Sequence, residues 1–451
     1  MNLKIDRFYL CLCMQYWSGM TRLIRSYQIL ACILAILLVV SCEKEEQDKR
    51  TLLERLNDLP GVTAVSVEPV YGHPEQFRLE IVQPLDHANP GGQTFVQEAH
   101  LHHSGEDLPV VFGPAGYGTS ETSGQELAAM MESNMLMVTH RFFLDAEPDP
   151  LDWQFLTIEQ AAADHHRIVS LLKGIYDGAW VSSGASKGGQ TALFHRRYYP
   201  GDVDATVAYV APLVFGTGDP RFIPFMENVG SADCRETQNT YERLLLEQRD
   251  ALIPKFVNWF SDHGYSFSLD PDEAFEYAVL EYHFAFWQFH NVSCESVPGE
   301  GASADELFEH LTEVLWMDLF SDSRLYYYAP YHYQALTENG YPSYITDHIA
   351  DLFEVVTDPG AEFFLPYEIN TTYEPSVMLD IDHWLKTEGD NIIYIYGEID
   401  PWTAAMFEPA EGTNALCIVQ SGEDHGVRIS DLDERTRVID SLETWLGIEI
   451  E

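Results

Sequence analysis

The chain has 451 residues, of which 46% are hydrophobic and 13% aromatic, a composition typical of a globular protein and not of a disordered one. Its 25 lysine and arginine residues face 72 aspartate and glutamate residues, so the formal net charge is -47 at pH 7. This charge argues against nucleic acid as a partner and against binding of anionic lipid by most of the surface. The length accommodates one large α/β domain with an insertion, or two domains.

The N-terminal segment has the pattern of an export signal. Two arginines precede the uncharged run 29–40, which is too short to span a bilayer comfortably, and Cys42 follows. Residues 39–42 resemble a bacterial lipobox, in which the cysteine is acylated and becomes the mature N-terminus. We therefore expect residues 1–42 to be a lipoprotein signal peptide and the protein to be anchored in the outer membrane. The acidic segment 43–46 resembles a surface-export tag of Bacteroidota lipoproteins and favours display at the cell surface.

Residues 43–60 are charged and are interpreted as a tether. Three extended segments bounded by glycine, proline or asparagine then predict an antiparallel start to a sheet: Val65–Tyr71, Gln76–Val82 and Thr94–His102. The elements that follow alternate between strand and helix: Leu108–Phe112, Met135–His140, the helix Ile158–Leu172, a strand from Trp180, a helix over 190–197, and Ala205–Val210. This alternation predicts a mostly parallel sheet.

The predicted secondary structure changes after residue 214. Helical patterns rich in aromatic residues dominate 215–385, among them Arg235–Arg249, Asp272–Gln288 and Ala304–Leu319. Strands return at Asn391–Tyr396 and Ala415–Gln420, and a helix over Asp431–Leu446 closes the chain. We expect an α/β core made of residues 61–214 and 386–451. Its insertion, 215–385, would form a helical cap over the sheet edge where ligands bind.

The segment Gly184-Ala185-Ser186-Lys187-Gly188 has the G-x-S-x-G pattern of a nucleophile elbow. The chain must turn sharply from strand to helix there, so Gly184 and Gly188 are expected to leave room around a strained Ser186. Such a turn lifts the serine hydroxyl off the sheet edge. The pattern alone also fits a tight strand-to-helix turn without chemistry.

The partners of Ser186 decide between these interpretations. A nucleophilic serine needs a base and a carboxylate that orients the base, and in α/β-hydrolases the order along the chain is serine, acid, histidine. Asp400 follows the strand Asn391–Tyr396, and His425 follows the strand Ala415–Gln420. This order predicts a Ser186–His425–Asp400 triad. His383 precedes its strand and would lie at the wrong edge of the sheet.

The backbone N–H of Lys187 and one from the loop Ala115–Tyr117, Gly116 or Tyr117, are the predicted oxyanion hole. The Lys187 side chain is expected to pair with acidic neighbours. Arg141 has two interpretations, a site for a substrate carboxylate and, more in keeping with its position, a structural ion pair.

The cysteines and histidines indicate a disulfide and no cofactor. In an oxidising compartment, Cys234 and Cys294 are a reasonable disulfide pair, while Cys417 has the surroundings of a buried strand residue. His100 and His102 share a strand face, but no carboxylate or cysteine is spaced with them as a metal site requires. No C-x-x-C, H-E-x-x-H or Walker-type motif is present, so we expect neither a metal nor another cofactor.

The chain resembles the secreted tripeptidyl and prolyl aminopeptidases of actinobacteria, serine peptidases with an α/β-hydrolase fold. The similarity spans about residues 75–430 and lies in separate blocks, which are 83–87 with 94–97, 140–143, 156–164, 184–189 with 195–197, 209–212, 281–288, 333–335 and 397–402. The resemblance implies that Ser186 is the nucleophile, Asp400 the orienting acid and His425 the base. It also implies a helical cap that limits the site to peptide ends.

The chain departs from the family in its Gly-Tyr loop, where Pro114-Ala115 stands in place of an acidic residue. Recognition of a substrate's α-amine would then depend on other carboxylates, Glu281 or Glu398. Trp287 and the block 326–328 supply aromatic side chains for a pocket or, equally, for the core of the cap.

The leading hypothesis is a surface serine exopeptidase that releases short N-terminal fragments from peptide substrates. A carboxylesterase or lipase with the same triad is the first alternative, because esters and amides share the acyl-enzyme route. A binding lipoprotein without turnover is the second alternative. The sequence leaves the oligomeric state open.

Overall fold

The computed structural model describes residues 50–290 and 292–450. The chain divides into two compact units, Met1–Arg55 and Leu56–Glu451. Of the first unit only residues 50–55 are described, so the predicted signal peptide and lipidated Cys42 lie outside the described residues. A helix, Leu52–Asn57, falls within the segment interpreted as a tether. No helix of the described ranges combines the length and the apolar character needed to cross a bilayer.

The second unit is built on one nine-stranded sheet. The strands are β1 Val62–Val67, β2 Glu75–Pro84, β3 Thr94–His103, β4 Val110–Pro114, β5 Asn134–Val138, β6 Trp180–Ala185, β7 Ala205–Tyr209, β8 Ile392–Gly397 and β9 Ala415–Gln420. Their order across the sheet is β1-β2-β3-β5-β4-β6-β7-β8-β9. The pairs from β1 to β3 and the pair β3–β5 are antiparallel, and all later pairs are parallel. This is the predicted α/β-hydrolase fold, with an antiparallel start and a mostly parallel sheet.

The helices of the described ranges are Leu52–Asn57, Glu126–Met130, Ile158–Leu172, Lys187–Tyr198, Phe222–Met226, Ala232–Glu247, Arg249–Asp262, Pro271–Phe289, Ala304–Val314, Asp322–Gln334, Pro375–Thr387 and Arg435–Leu446. A π-helical segment, Ala335–Asn339, continues the helix that ends at Gln334.

Local chemistry explains where the main elements begin. The Thr157 side chain accepts a hydrogen bond from the Gln160 N–H and so caps the helix Ile158–Leu172, whose bounds are those predicted. Asp270 caps the cap-domain helix Pro271–Phe289, with proline at its first position. The first strand ends earlier than predicted, at Val67, because the chain then turns through Tyr71 with φ 56°. Strands β4, β5, β7 and β8 are buried along their whole length, which accounts for their unbroken apolar runs.

The insertion has a hydrophobic core of its own. Its helices bury a cluster that includes Tyr241, Phe256, Phe275 and Tyr282. A disulfide joins Cys234 to Cys294 across the cap, with Cα atoms 5.4 Å apart, as the sequence predicted. The predicted end of the cap at residue 385 needs correction. The helix Pro375–Thr387 packs on the sheet layer, where Ile381 and Leu385 join the cluster of Leu193 and Tyr394.

The structure decides between the two interpretations of Arg141. Arg141 is fully buried and forms an ion pair with Asp164, with Nε 2.7 Å from Oδ2, so it serves structure and does not bind a substrate carboxylate. Arg141 also donates to the carbonyl of Leu85. His100 and His102 are buried in β3, and neither belongs to a cluster of possible metal ligands in the described part of the chain.

Candidate active site

Ser186 stands at a strained turn between β6 and the helix Lys187–Tyr198. Its backbone has φ 55° and ψ -126°, a conformation that side-chain-bearing residues rarely adopt. Gly184 is required there, because a Cβ on it would lie 2.4 Å from the Gly188 carbonyl carbon. The second tight glycine is Gly189 and not, as predicted, Gly188. A Cβ on Gly189 would lie 2.8 Å from the Ala211 Cβ, whereas one on Gly188 would meet nothing closer than 3.5 Å.

The Asp400 carboxylate and the His425 imidazole are hydrogen-bonded to each other. The His425 Nδ1 lies 2.7 Å from the Asp400 Oδ2, and the Trp402 N–H donates to the other carboxylate oxygen at 3.1 Å. Burial raises the pKa of Asp400, while the contact with His425 lowers it. A carboxylate at Nδ1 keeps the proton on that nitrogen, so Nε2 is left as the basic atom. His425 and Ser186 line the same cavity.

Strand β8 brings this loop into position by close packing at its end. A Cβ on Gly397 would lie 2.3 Å from the Asp424 carbonyl oxygen and 2.4 Å from that of Glu423. Only a glycine lets the strand approach the histidine loop so closely.

The loop after β4 approaches the elbow as an oxyanion hole requires. A Cβ on Gly116 would lie 2.6 Å from the Lys187 Cβ, so the two backbones are in direct contact. Among the described residues, no hydrogen-bond acceptor is assigned to the backbone N–H of Gly116, Tyr117 or Lys187. Lys187 is also the first residue of a helix, where N–H groups are free to bind an anion.

The Lys187 side chain does not pair with an acidic neighbour, contrary to prediction. It is only 3% exposed, and no carboxylate in the described ranges lies within ion-pairing distance of its Nζ. Instead Nζ lies 5.8 Å from the ring centroids of both Tyr117 and Phe143, a cation–π arrangement. Burial lowers the pKa of Lys187 to about 7.

A cavity of about 410 Å³ lies between the elbow and the cap. Its walls include Ser186 and His425 on the core side, and aromatic residues of the cap such as Trp316 and Tyr328. Such a volume suits a small ligand or a short peptide segment. Of the aromatic block 326–328, Tyr328 lines this cavity and Tyr326 is largely exposed.

Glu281 is the one carboxylate among the described residues that line this cavity. It lies on the cap helix Pro271–Phe289, and the Tyr344 hydroxyl donates a short hydrogen bond to it. Burial raises the pKa of Glu281 to about 7, and hydrogen bonds from Tyr344 and Tyr341 oppose the rise. Sequence reasoning did not identify Tyr344, which lies in an irregular loop where no periodic pattern marks it.

The other two predicted substrate-binding residues lie elsewhere. Trp287 is buried in the cap, where its indole N–H donates to the Gln238 side chain at 3.2 Å and its ring covers Gly230. Glu398 is exposed and accepts hydrogen bonds from the Ser421 hydroxyl and the Gly422 N–H, which lower its pKa. Neither lines the cavity, so the structure corrects both predictions.

Comparison with known proteins agrees with this geometry. The model of the PS-10 peptidase family S37 matches residues 46–450. The chain belongs to this family. A curated relative, the prolyl tri/tetrapeptidyl aminopeptidase of Streptomyces mobaraensis, is 35% identical over 405 residues, which cover 88% of this chain and 85% of the relative. The predicted resemblance is thereby confirmed, and the protein is a serine peptidase.

Solved structures show more distant similarity. A proline iminopeptidase from Mycobacterium smegmatis matches with a TM-score of 0.37 and 14% identity, over 81% of this chain and 98% of that one. A peroxisomal α/β-hydrolase from Saccharomyces cerevisiae matches with a TM-score of 0.38 and 11% identity, over 84% of this chain and 92% of that one. Family membership rests on the sequence comparisons.

Proposed function

We propose that this S37 peptidase is an aminopeptidase that releases short N-terminal fragments, tripeptides or tetrapeptides with a preference for proline, from peptides. The supporting observation is Glu281, a carboxylate in the cavity of Ser186 and His425. An exopeptidase must bind the substrate's ammonium group, and a buried cation needs a carboxylate partner. The relative from Streptomyces mobaraensis carries the corresponding activity in its name.

In the proposed mechanism, the Ser186 hydroxyl attacks the scissile carbonyl while His425 Nε2 takes its proton. Asp400 holds the imidazole through Nδ1 and stabilises the imidazolium that forms. The oxyanion receives hydrogen bonds from the N–H of Lys187 and of Gly116 or Tyr117. His425 then protonates the leaving amine. In the second half of the reaction, His425 takes a proton from water, which attacks the acyl-enzyme, and returns the proton to the Ser186 oxygen as the N-terminal fragment leaves.

Glu281 fixes which bond is cut in this proposal. Ammonium bound at Glu281 and acyl carbon at Ser186 define the two ends of the fragment that is released. The cavity wall between them is largely aromatic and aliphatic, including Phe284, Tyr331 and Tyr341, and suits proline or apolar side chains.

Peptides of four to six residues with a free or an acetylated α-amine test the proposal. Mass spectrometry of the products gives the length of the fragment, and initial rates give kcat/KM for each pair. We expect the acetylated peptides to be cleaved at least tenfold more slowly. Equal cleavage of both forms would exclude an aminopeptidase and favour an endopeptidase or the esterase alternative.

We also propose that the mature protein is a lipoprotein of the outer membrane, displayed at the surface. The support for this is the run 29–40 followed by Cys42 and an acidic segment. An enzyme tethered there would meet peptides outside the cell.

A further inference from the structure

The cap contains a buried cluster of two imidazoles and a carboxylate away from the active-site cavity. Glu242, His283 and His348 each offer one ligand atom, and these atoms all lie within 4.8 Å of one another. Glu242 is 1% exposed, and neither lysine nor arginine pairs with it among the described residues. Within the described ranges, only the two histidines lie beside this buried carboxylate, so no permanently charged cation compensates its negative charge.

The orientation of His283 is the observation that points to a ligand. Its Nδ1 lies 2.8 Å from the Glu242 Oε2, yet the two atoms do not form a hydrogen bond of acceptable geometry. The residue is 7% exposed, and Nδ1 has no other partner within the described ranges. A nitrogen that is close to a carboxylate but does not donate to it has the arrangement of two ligands beside a common ion. His348 Nε2 forms a short hydrogen bond with the same carboxylate oxygen.

We propose that Glu242, His283 and His348 bind a divalent transition-metal ion, with Zn²⁺ as the best match. Two imidazole nitrogens and one carboxylate oxygen form a borderline donor set that suits zinc and not calcium or magnesium. In a tetrahedral zinc site with bonds of about 2.0–2.1 Å, the ligand atoms lie about 3.3 Å apart. His283 Nδ1 and Glu242 Oε2 are 2.8 Å apart, so small rotations of the side chains would be enough to admit the ion. The His348 side chain is 14% exposed, so solvent reaches this edge of the cluster, where water would be the fourth ligand.

The ion would connect three elements of the cap. Glu242 lies on the helix Ala232–Glu247, His283 on the helix Pro271–Phe289, and His348 in the loop that follows Tyr344. The Arg243 guanidinium fastens the same loop by donating to the His348 carbonyl at 2.6 Å. The helix and the loop also carry Glu281 and Tyr344, so the site would brace that wall of the cavity. This consequence for substrate binding rests on the proposed function, whereas metal binding itself does not.

Metal binding is measured on the purified protein after treatment with a chelator and its removal. Titration with Zn²⁺ by calorimetry, and with Co²⁺ by visible absorption, should give one tight site per chain. His348→Ala should weaken that site at least tenfold to a hundredfold, because even loss of a residue that only supports a ligand costs that much. His263→Ala removes an exposed cap histidine and is the matched control, with unchanged affinity. Equal affinity in both variants, or binding only at the level of weak surface sites, would overturn the proposal.

A second measurement does not depend on the folding of a variant. Crystals of the wild-type protein soaked in Zn²⁺ are expected to show an anomalous peak within bonding distance of His283 Nδ1, His348 Nε2 and the Glu242 carboxylate. Absence of a peak there would contradict the proposal, even with zinc bound elsewhere on this acidic surface. This readout involves neither Ser186 nor turnover, so absence of the peak would leave the proposed peptidase specificity intact. In the same way, failure of the peptide assays would leave the metal-site proposal intact.

Discussion

The backbone N–H of His425 donates a hydrogen bond to the carbonyl oxygen of Gln288, at 3.1 Å. This bond links the loop of the proposed base to the end of the cap helix Pro271–Phe289. Glu281 lies seven residues before Gln288 on the same helix, and both residues line the cavity. The helix that carries Glu281, the group proposed to bind the substrate amine, is therefore also hydrogen-bonded to the loop that carries His425, the group proposed to move the proton.

Removal of any member of the triad should abolish turnover while leaving the protein folded. We expect Ser186→Ala, His425→Ala and Asp400→Asn each to lower kcat by about three to six orders of magnitude on peptidyl anilides. The double variant Ser186→Ala/His425→Ala should be scarcely slower than Ser186→Ala, because members of one catalytic unit act non-additively. Circular dichroism checks the fold. Turnover by Ser186→Ala close to that of the wild type would contradict the assignment.

Glu281 should impose a pH dependence on free-amine substrates. Its pKa is raised to about 7 by burial, so its carboxylate forms, and ammonium binding improves, as the pH rises through about 7. Above about pH 8 the substrate amine loses its own proton and binding weakens again. Glu281→Gln should raise KM for free-amine peptides about tenfold or more and remove the acidic limb of the KM profile. Hydrolysis of p-nitrophenyl acetate should be almost unchanged.

Glu398→Gln is the control for that variant. Glu398 is exposed and bonded to Ser421, away from the cavity, so its loss should leave KM for free-amine peptides within a factor of two or so. A larger effect at Glu398 than at Glu281 would show that the amine is bound at the other carboxylate.

Lys187 should make stability depend on alkaline pH. Burial lowers its pKa to about 7 from 10.5, so the unfolded chain binds the extra proton between these values. Stability should therefore rise with pH from about 7 to about 10, with a slope of at most about 1.4 kcal/mol per pH unit. Lys187→Met should remove the pH-dependent cost of burying this charge. The variant should therefore melt well above the wild type at pH 6, and the difference in melting temperature should shrink by pH 9. The exposed Lys173→Met should show no such trend.

Gly397→Ala should damage catalysis more than stability. The added methyl group would meet the carbonyl oxygens of Glu423 and Asp424 at 2.4 and 2.3 Å, so the loop that carries His425 must shift. A displacement of about 1 Å of a catalytic group can cost a hundredfold in rate. We expect kcat to fall about a hundredfold with KM little changed. Gly422→Ala is a useful comparison in the same loop, with open space around its Cβ but a strained φ of 76°. Equal kcat in wild type and Gly397→Ala would contradict this role.

Cys42→Ser should release the protein from membranes if Cys42 carries the lipid. Acyl chains contribute about 0.8 kcal/mol per buried CH₂ to membrane binding. Cell fractionation and labelling with a radioactive fatty acid measure the effect. Retention of the variant in the membrane fraction would indicate instead that residues 29–40 are an uncleaved anchor.

The sequence by itself determined the fold class and proposed the three catalytic residues. The elbow around Ser186 is a local pattern, and Asp400 and His425 follow strands whose apolar runs are unmistakable. Parallel strands bring their carboxyl ends to one sheet edge, so position along the chain was enough to place these residues together. The pairing of Cys234 with Cys294 followed once Cys42 was assigned to the lipid and Cys417 to a strand.

Tertiary structure alone decided the roles of side chains whose partners are distant in sequence. Glu281 and Glu398 look equivalent in the sequence, but the cap helix places Glu281 at the cavity, whereas the turn after β8 leaves Glu398 in solvent. Lys187 has no acidic partner among the described residues because the loops after β4 and β5 place the rings of Tyr117 and Phe143 beside it. The cluster of Glu242, His283 and His348 gave no motif, because its members come from three separate elements. Contacts of this kind depend on how helices pack over the sheet, and no local periodicity or spacing encodes that packing.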